Sequence, residues 1–439
     1  MRIHWFSPLS PERTDIGHFT LRVCEELAKH CDLTLWTHPQ HFSGPQQPSW
    51  RKRYKAFPYS EFEQQLEALN RADAIFYNIG NNAAFHREIL DAMRRVPGVA
   101  IMHDRCLFEC ISSVYREKPH GERLFSQLME VTYGPEAKSD NAAWLKGDRS
   151  LDQLATQYPF DEHAALGAWG TIHHSDPVDD QPPSAPAPHS WTLSLPYPAE
   201  PLLNAPKLRE RDGCLHCLLF GYLGGPNRRL AETLQALKAY PQKDRIRLHL
   251  AGEVHENFKI DSLLAKLGLS EQVTREGFLP ENELDQLLSG SDLVINLRFP
   301  TRGEASGSLL RAWNQAAPSA VTNRGAYAQL PDDVVWKVDP EQEASQLMGI
   351  WDSLLLDPQA AVEKGQAGRR LLQRKHSVES YVASLLEIAA TPGIERGPTI
   401  LPLLEQRYAL FAQQLFQLSP EDVVPVLSSL DRELETWFR

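Results

Sequence analysis

The stretch that decides the fold is residues 292–313, which read DLVINLRFPTRGEASGSLLRAW. The apolar run at 292–297 is typical of a buried strand, and LLRAW at 309–313 is typical of a helix. Between them, a loop rich in glycine and serine carries one glutamate, Glu304. A lone loop acid is by default a solvated residue beside a helix cap, so the rest of the chain has to decide what this carboxylate does.

The same strand, loop and helix pattern recurs on both sides of a proline-rich interruption. Before it, strand-like runs lie at residues 2–6, 33–38, 74–80, 99–104 and 168–175, and after it at 217–224, 247–253, 292–300, 319–325 and 334–340. Amphipathic stretches such as 18–30 and 83–95 separate several of these runs. This alternation predicts parallel sheets with helices on both faces.

The pattern divides the chain into three parts. We predict a Rossmann-like domain at residues 1–195 that includes the proline-rich stretch 179–190, a second one at 205–376, and C-terminal helices at 377–439 for bracing or interaction. The predicted fold class is α/β, with two doubly wound parallel-sheet domains facing across a cleft and a helical tail. Ligands of such sheets bind outside the carboxyl ends of the strands, so we expect the site in that cleft.

The composition excludes several classes of protein. The chain has 439 residues, 42% hydrophobic and 23% charged, and a net charge of -12, which argues against a general nucleic-acid binder but allows a local phosphate pocket. No apolar run approaches the roughly 20 residues of a membrane-spanning helix. The N-terminus MRIHWFSP lacks the pattern of a signal peptide. We expect a cytoplasmic protein, and association with the inner face of the membrane stays open.

The cysteines allow two interpretations. Cys214 and Cys217 form a CxxC motif and Cys106 and Cys110 a CxxxC motif, so a four-thiolate zinc site is conceivable. The run CLHCLLF at 214–220 has the pattern of a buried strand, in which the first two cysteines would point to opposite faces. Reduced, buried thiols are therefore favoured over a zinc site at these cysteines.

A glycine turn with two arginines lies in residues 220–237, which read FGYLGGPNRRLAETLQAL. A strand, a turn with Gly224, the pair Arg228 and Arg229, and a helix would place backbone N–H groups and guanidinium groups around one point, which suits a pyrophosphate. Neither the P-loop nor the dinucleotide-binding glycine pattern is present. An ordinary strand-to-helix turn with solvated arginines is an equal alternative.

Two stretches of the first half also place polar groups after strands. In IMHDRC at 101–106, His103 follows an apolar run and could donate to a substrate hydroxyl or phosphate, although a capping or core histidine is the simpler alternative. The loop within residues 6–23 carries Asp15 and Gly17 before a helix. Ordinary polar loops explain these residues as well.

Taken in order, these stretches resemble one family. The succession of SPLSPERTDIGHFT, YNIGNNAAFHREIL, IMHDRCLFE, FGYLGGPNRRLAETL, LHLAGE and the stretch 275–313 resembles the retaining family-4 glycosyltransferases of GT-B fold. The similarity is greatest to a bacterial branch associated with cell-surface polysaccharides. It covers residues 1–390 and is densest at 217–335.

The resemblance implies roles for residues of the second domain, which holds the nucleotide-sugar donor in this family. Glu304 matches the first glutamate of the E-x7-E motif and would contact sugar hydroxyls, and Arg228 or Arg229 would neutralise the diphosphate. Arg311 takes the helical position of the second glutamate, which binds the ribose in the family. The remaining implied donor contacts are Gly224, Gly277, Phe278, Ala305, Ser306, Gly307 and Ser308.

The resemblance also implies roles in the first domain, which mainly holds the acceptor. His103 would lie near the reacting sugar, and Asp15 to Gly17 would form the loop facing the phosphates. Three positions depart from the family pattern. Tyr222 replaces an arginine, Arg311 replaces the ribose-binding glutamate, and Asp15 replaces a glycine and would repel a diphosphate unless it points away or meets a cation.

The resemblance implies a retaining, metal-independent hexosyl- or deoxyhexosyltransferase that needs no cofactor. It would move a sugar from a nucleotide diphosphate to a glycan, a lipid-linked or a protein acceptor, with His103, Glu304 and Arg228 as catalytic residues. A homo-oligomer stays open. The alternatives are a GT-B pseudoenzyme that acts as a scaffold and, less favoured, another GT-B enzyme such as a nucleotide-sugar epimerase.

Overall fold

The computed structural model describes residues 1–12, 14–42, 48–176, 189–203, 213–223, 225–254, 259–301 and 303–391. These residues divide into two compact units. As far as they are described, residues 1–176, 189–193 and 379–391 make up the first unit and residues 194–378 the second. The helices predicted beyond residue 391 and most of the proline-rich stretch lie outside the described residues.

The first unit is built on a parallel sheet. Its elements up to residue 193 are β1 (Arg2–Phe6), α1 (Asp15–Leu27), β2 (Asp32–Thr37), β3 (Lys55–Pro58), α2 (Leu66–Asn70), β4 (Ala74–Ile79), α3 (Ala83–Arg95), β5 (Gly98–Met102), α4 (Phe108–Arg116), α5 (Gly121–Tyr133), α6 (Pro135–Lys146), α7 (Leu151–Gln157), α8 (Asp161–Ala164), β6 (Ala168–His173) and β7 (His189–Thr192). Within the described residues the strand order is β3-β2-β1-β4-β5-β6-β7, with every pairing parallel. This is the doubly wound arrangement that the sequence predicts.

Side-chain caps explain where the first helices begin. The Thr14 side chain accepts a hydrogen bond from the backbone N–H of Ile16, so α1 starts earlier than its apolar pattern indicates. The Asn82 side chain caps α3 in the same way, by accepting from Ala84 N at 3.0 Å. Each helix turns its apolar face to the sheet, where β4 and β5 are buried along their whole length.

Five helices between β5 and β6 are not predicted by the strand and helix alternation. They extend the apolar core of the first unit, in which Phe108, Phe125 and Phe160 pack with ring centroids 5.6–6.0 Å apart. Aromatic packing of this kind adds to the stabilisation from burial alone. The helices α4 to α8 therefore enlarge this domain without changing the order of its strands.

The second unit is a smaller sheet with the same arrangement. Its elements are β8 (Leu215–Phe220), α9 (Leu230–Ala239), β9 (Ile246–Ala251), α10 (Ile260–Leu267), β10 (Val273–Gly277), α11 (Glu281–Ser289), β11 (Leu293–Asn296), α12 (Gly307–Asn314), β12 (Ser319–Thr322), β13 (Val335–Val338), α13 (Glu343–Leu356) and α14 (Gln359–Lys375). In the part that the structure describes, the order is β10-β9-β8-β11-β12-β13, again with parallel pairing throughout. Apolar clusters cover both faces of this sheet.

Two glycines shape the edge of the second sheet where its strands end. Gly252 has a φ of 131°, and a Cβ added to it would lie 1.9 Å from the carbonyl oxygen of Gly221. Only glycine tolerates both this φ and this approach. The ends of β8 and β9 are therefore held together at the point where the arginine-bearing turn begins.

The last described helix, α15 (Val378–Ala389), packs on the first unit although it follows the second in sequence. Its buried face is formed by Tyr381, Val382, Leu385 and Ile388. No described helix is long and apolar enough to cross a membrane.

All six cysteines are free thiols in the structure. Cys214 and Cys217 are both buried, and burial raises the pKa of Cys217 well above its ordinary value. Among the residues that the structure describes, no three His, Cys, Asp or Glu side chains are grouped to hold a metal ion. The expectation that the protein needs no metal stays a prediction.

Candidate active site

Glu304 lies at the end of the loop that leads from β11 into α12. Gly303, directly before it, has a φ of 69°, a left-handed conformation that favours glycine. The Glu304 residue is only 8% exposed, and Arg298 Nη1 lies 3.4 Å from its Oε1. A carboxylate in such a place costs free energy unless a cation or donors face it. Glu304 is therefore an inward-facing, charge-supported carboxylate and not a solvated loop acid.

A hydrogen-bonded network fixes the loop around this carboxylate. Arg298 Nη2 donates to Ser308 Oγ at 3.1 Å, and Ser308 Oγ donates to Asn296 Oδ1 at 3.0 Å. Asn296 Nδ2 in turn donates to Ser306 Oγ at 3.2 Å. Ser306 is also the N-cap of α12, because its Oγ accepts from Leu309 N at 3.2 Å. The end of β11, the loop and the start of α12 are thus bonded into one unit.

The first turn of α12 leaves space beside Gly307. A Cβ added to Gly307 would meet no atom within 4 Å. The first N–H groups of a helix have no partner within the helix, and the helix dipole favours an anion there. The predicted residues Ala305 to Ser308 are therefore brought together with Glu304, in an arrangement that suits a ligand carrying both hydroxyl groups and negative charge.

The two candidate arginines after β8 have different surroundings. A Cβ added to Gly221 would lie 3.0 Å from Arg228 Nη2, so the Arg228 guanidinium lies over the glycine turn at the end of the strand. Arg229 has a φ of 56°, and its guanidinium pairs with Glu343 and Glu232, each at 2.8 Å. Arg228 is thus the arginine placed at the sheet edge, whereas Arg229 is engaged inside its domain. The predicted contact Gly224 lies outside the described residues.

Arg311 is engaged by helix α11. Its Nε donates to Asp285 Oδ1 at 2.7 Å, and its Nη2 donates to the carbonyl oxygen of Glu281 at 2.9 Å. Burial opposes the charged form, but the Asp285 carboxylate outweighs it and the pKa of Arg311 is raised. The structure therefore shows Arg311 linking α11 to α12, and its predicted contact to a donor nucleotide stays a prediction.

Two aromatic side chains are exposed where strands of the second sheet end. Phe278, directly after β10, is 72% exposed, and Tyr222, two residues after β8, is 53% exposed. Gly277, before Phe278, has a φ of 68° that suits glycine. Exposed aromatic rings at this edge of a parallel sheet are suited to stacking on a planar ligand group.

His103 follows β5 in the first unit, and its tautomer can be deduced. Asn78 Nδ2 donates to the carbonyl oxygen of Phe6 at 2.9 Å, so the Asn78 Oδ1 is the atom that faces His103 Nε2 at 3.0 Å. His103 therefore carries its proton on Nε2. Burial, reinforced by the neighbouring His174 and His86, holds its pKa well below the ordinary value. At neutral pH His103 is an uncharged imidazole whose Nδ1 can accept a hydrogen bond.

The predicted loop residues Asp15 and Gly17 lie in the first turn of α1. Asp15 is the first residue of α1 and is exposed, and Gly17 is buried within the first turn. A carboxylate in the first turn is favoured by the helix dipole, which gives Asp15 a stabilising role in the fold. A Cβ on Gly17 would make only ordinary contacts at 3.5 Å. Their predicted contact to phosphates stays a prediction.

Three residues of this arrangement are not predicted from the sequence. Arg298 and Asn296 bind the loop. Tyr327 is buried, and burial raises its pKa to about 12, while the charges of Arg298 and Glu304 also act on it. An asparagine at the end of an apolar strand is the one available signal for Asn296, because a buried amide needs partners. Arg298 and Tyr327 have no comparable signal in the sequence.

Most of the second unit matches a protein-family model, and solved structures resemble the chain over most of its length. Residues 225–370 match the family model described as Glycosyl transferases group 1. The match covers α9 to most of α14 and includes Arg228, Glu304 and the network of Arg298. No curated protein sequence matches the chain.

Several solved structures resemble the chain over most of its length. HepE from Anabaena, solved in complex with UDP, has a TM-score of 0.56 at 13% identity and covers 88% of this chain and 100% of its own. Sucrose-phosphate synthase from Thermosynechococcus elongatus has a TM-score of 0.58 at 13% identity, with 88% and 97% covered. WaaG, a glycosyltransferase involved in lipopolysaccharide biosynthesis, has a TM-score of 0.55 at 16% identity, with 88% and 99% covered.

The fold is GT-B. At such low identity these likenesses describe the fold alone. Residues 225–370, which include Glu304, also have the sequence pattern of group 1 glycosyl transferases. The fold and the match together support a glycosyltransferase.

Proposed function

We propose that the protein is a retaining glycosyltransferase of family 4. It moves a hexosyl or deoxyhexosyl group from a nucleotide-diphosphate sugar to a glycan, a lipid-linked or a protein acceptor, without a metal ion. The observation that carries this proposal is the buried Glu304, supported by Arg298, in the region that matches group 1 glycosyl transferases. A carboxylate accepts hydrogen bonds only, so it is suited to orient the hydroxyl groups of a donor sugar.

The diphosphate of the donor would be bound by the groups around Gly307 and Arg228. Departure of a nucleoside diphosphate leaves negative charge on the phosphate oxygens, and donors that are already oriented lower the barrier without reorganisation. The first N–H groups of α12 and the Arg228 guanidinium provide such donors. Arginine and helix N–H groups would then do the work that a divalent cation does elsewhere, which supports a metal-independent reaction.

Retention of the anomeric configuration follows if the acceptor attacks from the face that the phosphate leaves. The departing phosphate oxygen would take the acceptor proton, so we assign no nucleophile to the protein. The neutral His103, with its proton on Nε2 held by Asn78, would offer Nδ1 as an acceptor for a hydroxyl group of the transferred sugar. Glu304, Arg228 and His103 are the catalytic residues of this proposal.

The partners belong to the same proposal. A structure of HepE was solved with UDP and another with UDP-glucose, which supports a nucleoside diphosphate sugar as donor here. Phe278 and Tyr222 would contact the base, and Gly277, Arg229, Arg311, Asp15 and Gly17 remain proposed donor contacts. We place the protein in the cytoplasm, with association at the inner membrane face and homo-oligomerisation as open parts of the proposal.

A second candidate function is a GT-B scaffold without catalysis. The observation that favours it is the engagement of Arg229 by Glu343 and Glu232, together with that of Arg311 by Asp285. If both arginines stay paired, these two cationic side chains are not available to bind the phosphates or the ribose of the sugar donor. The intact surroundings of Glu304 and Arg228 favour transfer over this alternative.

A thermal-shift screen separates the two functions. The purified protein is heated with UDP, GDP, CMP, dTDP and ADP and with their sugars, each with and without EDTA. Transfer predicts selective stabilisation by one nucleoside diphosphate, increased by one sugar and unchanged by EDTA, since a ligand that binds the folded state raises its stability. Absence of stabilisation by every nucleotide would favour the scaffold, and stabilisation that EDTA abolishes would refute the metal-free site.

A further inference from the structure

Four rings connect helix α15 to His103 within the first unit. The ring of Tyr381, on α15, lies 5.8 Å from that of Phe19 and 5.7 Å from that of His174. Phe19 contacts His103 edge-to-face at 4.7 Å, and the two imidazoles of His103 and His174 are 5.1 Å apart. We call Tyr381, Phe19, His174 and His103 the ring cluster. It joins α1, the ends of β5 and β6, and α15.

Tyr381 enters this cluster through its ring and not through its hydroxyl group. The residue is only 3% exposed, and its Oη is buried with no hydrogen-bond partner within the described part of the chain. A buried hydroxyl group without a partner costs free energy, so the hydroxyl group does not account for a tyrosine at this position. The edge-to-face contact with Phe19, at an interplanar angle of 86°, is the favourable part of the arrangement.

The cluster restricts the ring of His103. Asn78 holds the imidazole through one hydrogen bond at Nε2. A single hydrogen bond does not prevent rotation of the ring, so packing by neighbouring side chains must limit that rotation. Among the described residues, the rings of Phe19 and His174 pack on His103, and Tyr381 contacts both of them. His174 is itself anchored to the carbonyl oxygen of Leu193 through Nδ1 at 3.2 Å. Removal of the Tyr381 ring would open a space behind both neighbours of His103.

We propose that Tyr381 is a positioning residue that holds the His103 imidazole in its reactive orientation through Phe19 and His174. This inference rests on the proposed function, in which His103 accepts from the transferred sugar. It makes the returning helix α15 part of the active site, although Tyr381 follows the whole second domain in sequence. A side chain that holds a catalytic group in place controls turnover more than ground-state binding.

The test compares Tyr381→Leu with Tyr381→Phe in the full-length protein. Tyr381→Leu removes the ring, and we expect kcat to fall roughly ten- to a hundredfold, with the KM for the donor unchanged within about twofold. Tyr381→Phe keeps the ring and loses only the unpaired hydroxyl, so we expect wild-type kcat. Nuclear magnetic resonance of histidine labelled with nitrogen-15 reads the His103 tautomer directly. The leucine variant is expected to lose the single Nε2–H form, and the phenylalanine variant to keep it.

Controls separate positioning from loss of structure and from failure of the proposed function. Leu385→Ala removes another buried side chain of α15 and should leave the His103 signal unchanged. If Tyr381→Leu does not fold, Phe19→Leu removes the ring on the other side and must give the same change of tautomer. A wild-type His103 signal in a folded leucine variant would overturn the proposal, and so would a phenylalanine variant that loses a transferase activity that the wild-type protein has. The resonance reading does not depend on turnover, so it stands even if no transferase activity is found.

Discussion

Arg298 and Glu304 lie six positions apart, and Arg298 Nη1 reaches Glu304 Oε1 at 3.4 Å while its Nη2 reaches Ser308 Oγ at 3.1 Å. One planar guanidinium thus holds both the proposed sugar-reading carboxylate and the start of α12. The Arg298 side chain is 14% exposed and that of Glu304 9%, so the contact is little weakened by solvent. A lysine keeps the charge but offers a single point and cannot bridge the two partners.

We therefore predict that Arg298→Lys folds normally and loses turnover. The expected fall in kcat is roughly tenfold or more, because a shift of the carboxylate by a fraction of an ångström is enough to misplace the sugar. Arg275→Lys is the matched control, since Arg275 pairs with Asp261 on the surface of the same domain and its side chain is 46% exposed. Initial rates at saturating donor measure both variants. Equal rates for the two would refute the role assigned to Arg298.

Gly307→Ala probes the space at the start of α12. The added Cβ meets no atom within 4 Å and the residue is helical, so the variant should fold and be about 0.4–1 kcal/mol more stable. A diphosphate bound at this helix start would collide with the methyl group, and we expect the KM for the donor to rise roughly tenfold. Urea unfolding and donor titration measure the two effects. A more stable variant with unchanged donor KM would show that the phosphates lie elsewhere.

Acid should destabilise the first unit through three buried histidines. Burial lowers the pKa of His86 to about 4 and those of His163 and His173 to about 3. In the unfolded chain these side chains bind protons near pH 6.5, so below that pH the unfolded state binds more protons than the folded one. Stability is therefore full above pH 6.5 and declines as the pH falls toward the folded pKa values, by about 1.4 kcal/mol per pH unit for each histidine.

Urea unfolding followed by tryptophan fluorescence at pH 7.5, 6.5 and 5.5 measures this decline. His163→Gln keeps an acceptor for the Tyr115 hydroxyl, which lies 3.2 Å from His163 Nε2, and should reduce the slope by about one proton. Stability that stays constant between pH 6.5 and 5.5 would contradict the buried, neutral state of these histidines.

The sequence predicts the strands well in the interior of a sheet, where each strand lies between two others and is buried. The runs at 2–6 and 74–80 correspond to β1 and β4, which lie in the middle of the first sheet. By contrast, the strands β3, β7 and β10 are not predicted. All three lie at sheet edges, where polar or charged side chains such as Lys55 and Arg275 interrupt the apolar pattern because one side of the strand faces solvent.

The candidate site is predictable only in part, for a related reason. Glu304 and Arg228 stand in the motifs that resemble a known family, and each lies close to the strand that presents it. Arg298 acts across a loop that has no periodicity, and Tyr381 reaches Phe19 from more than 300 positions away, so no local pattern connects them. Contacts of this kind are set by the tertiary structure, and a single sequence contains no signal for them.

The most direct test of the account is turnover of the donor by the wild-type protein and by Glu304→Ala. Each is incubated with the nucleotide sugar that stabilises the wild-type protein most, and proton resonance follows the release of nucleoside diphosphate and the anomeric configuration of the product. We predict turnover with retention by the wild-type protein and a fall of roughly a hundredfold or more in the variant, which remains folded. Asp261→Ala, which removes an exposed carboxylate of the same domain that pairs with the surface residue Arg275, should remain active. An active Glu304→Ala protein, or a wild-type protein that binds the nucleotide sugar and never cleaves it, would contradict the account.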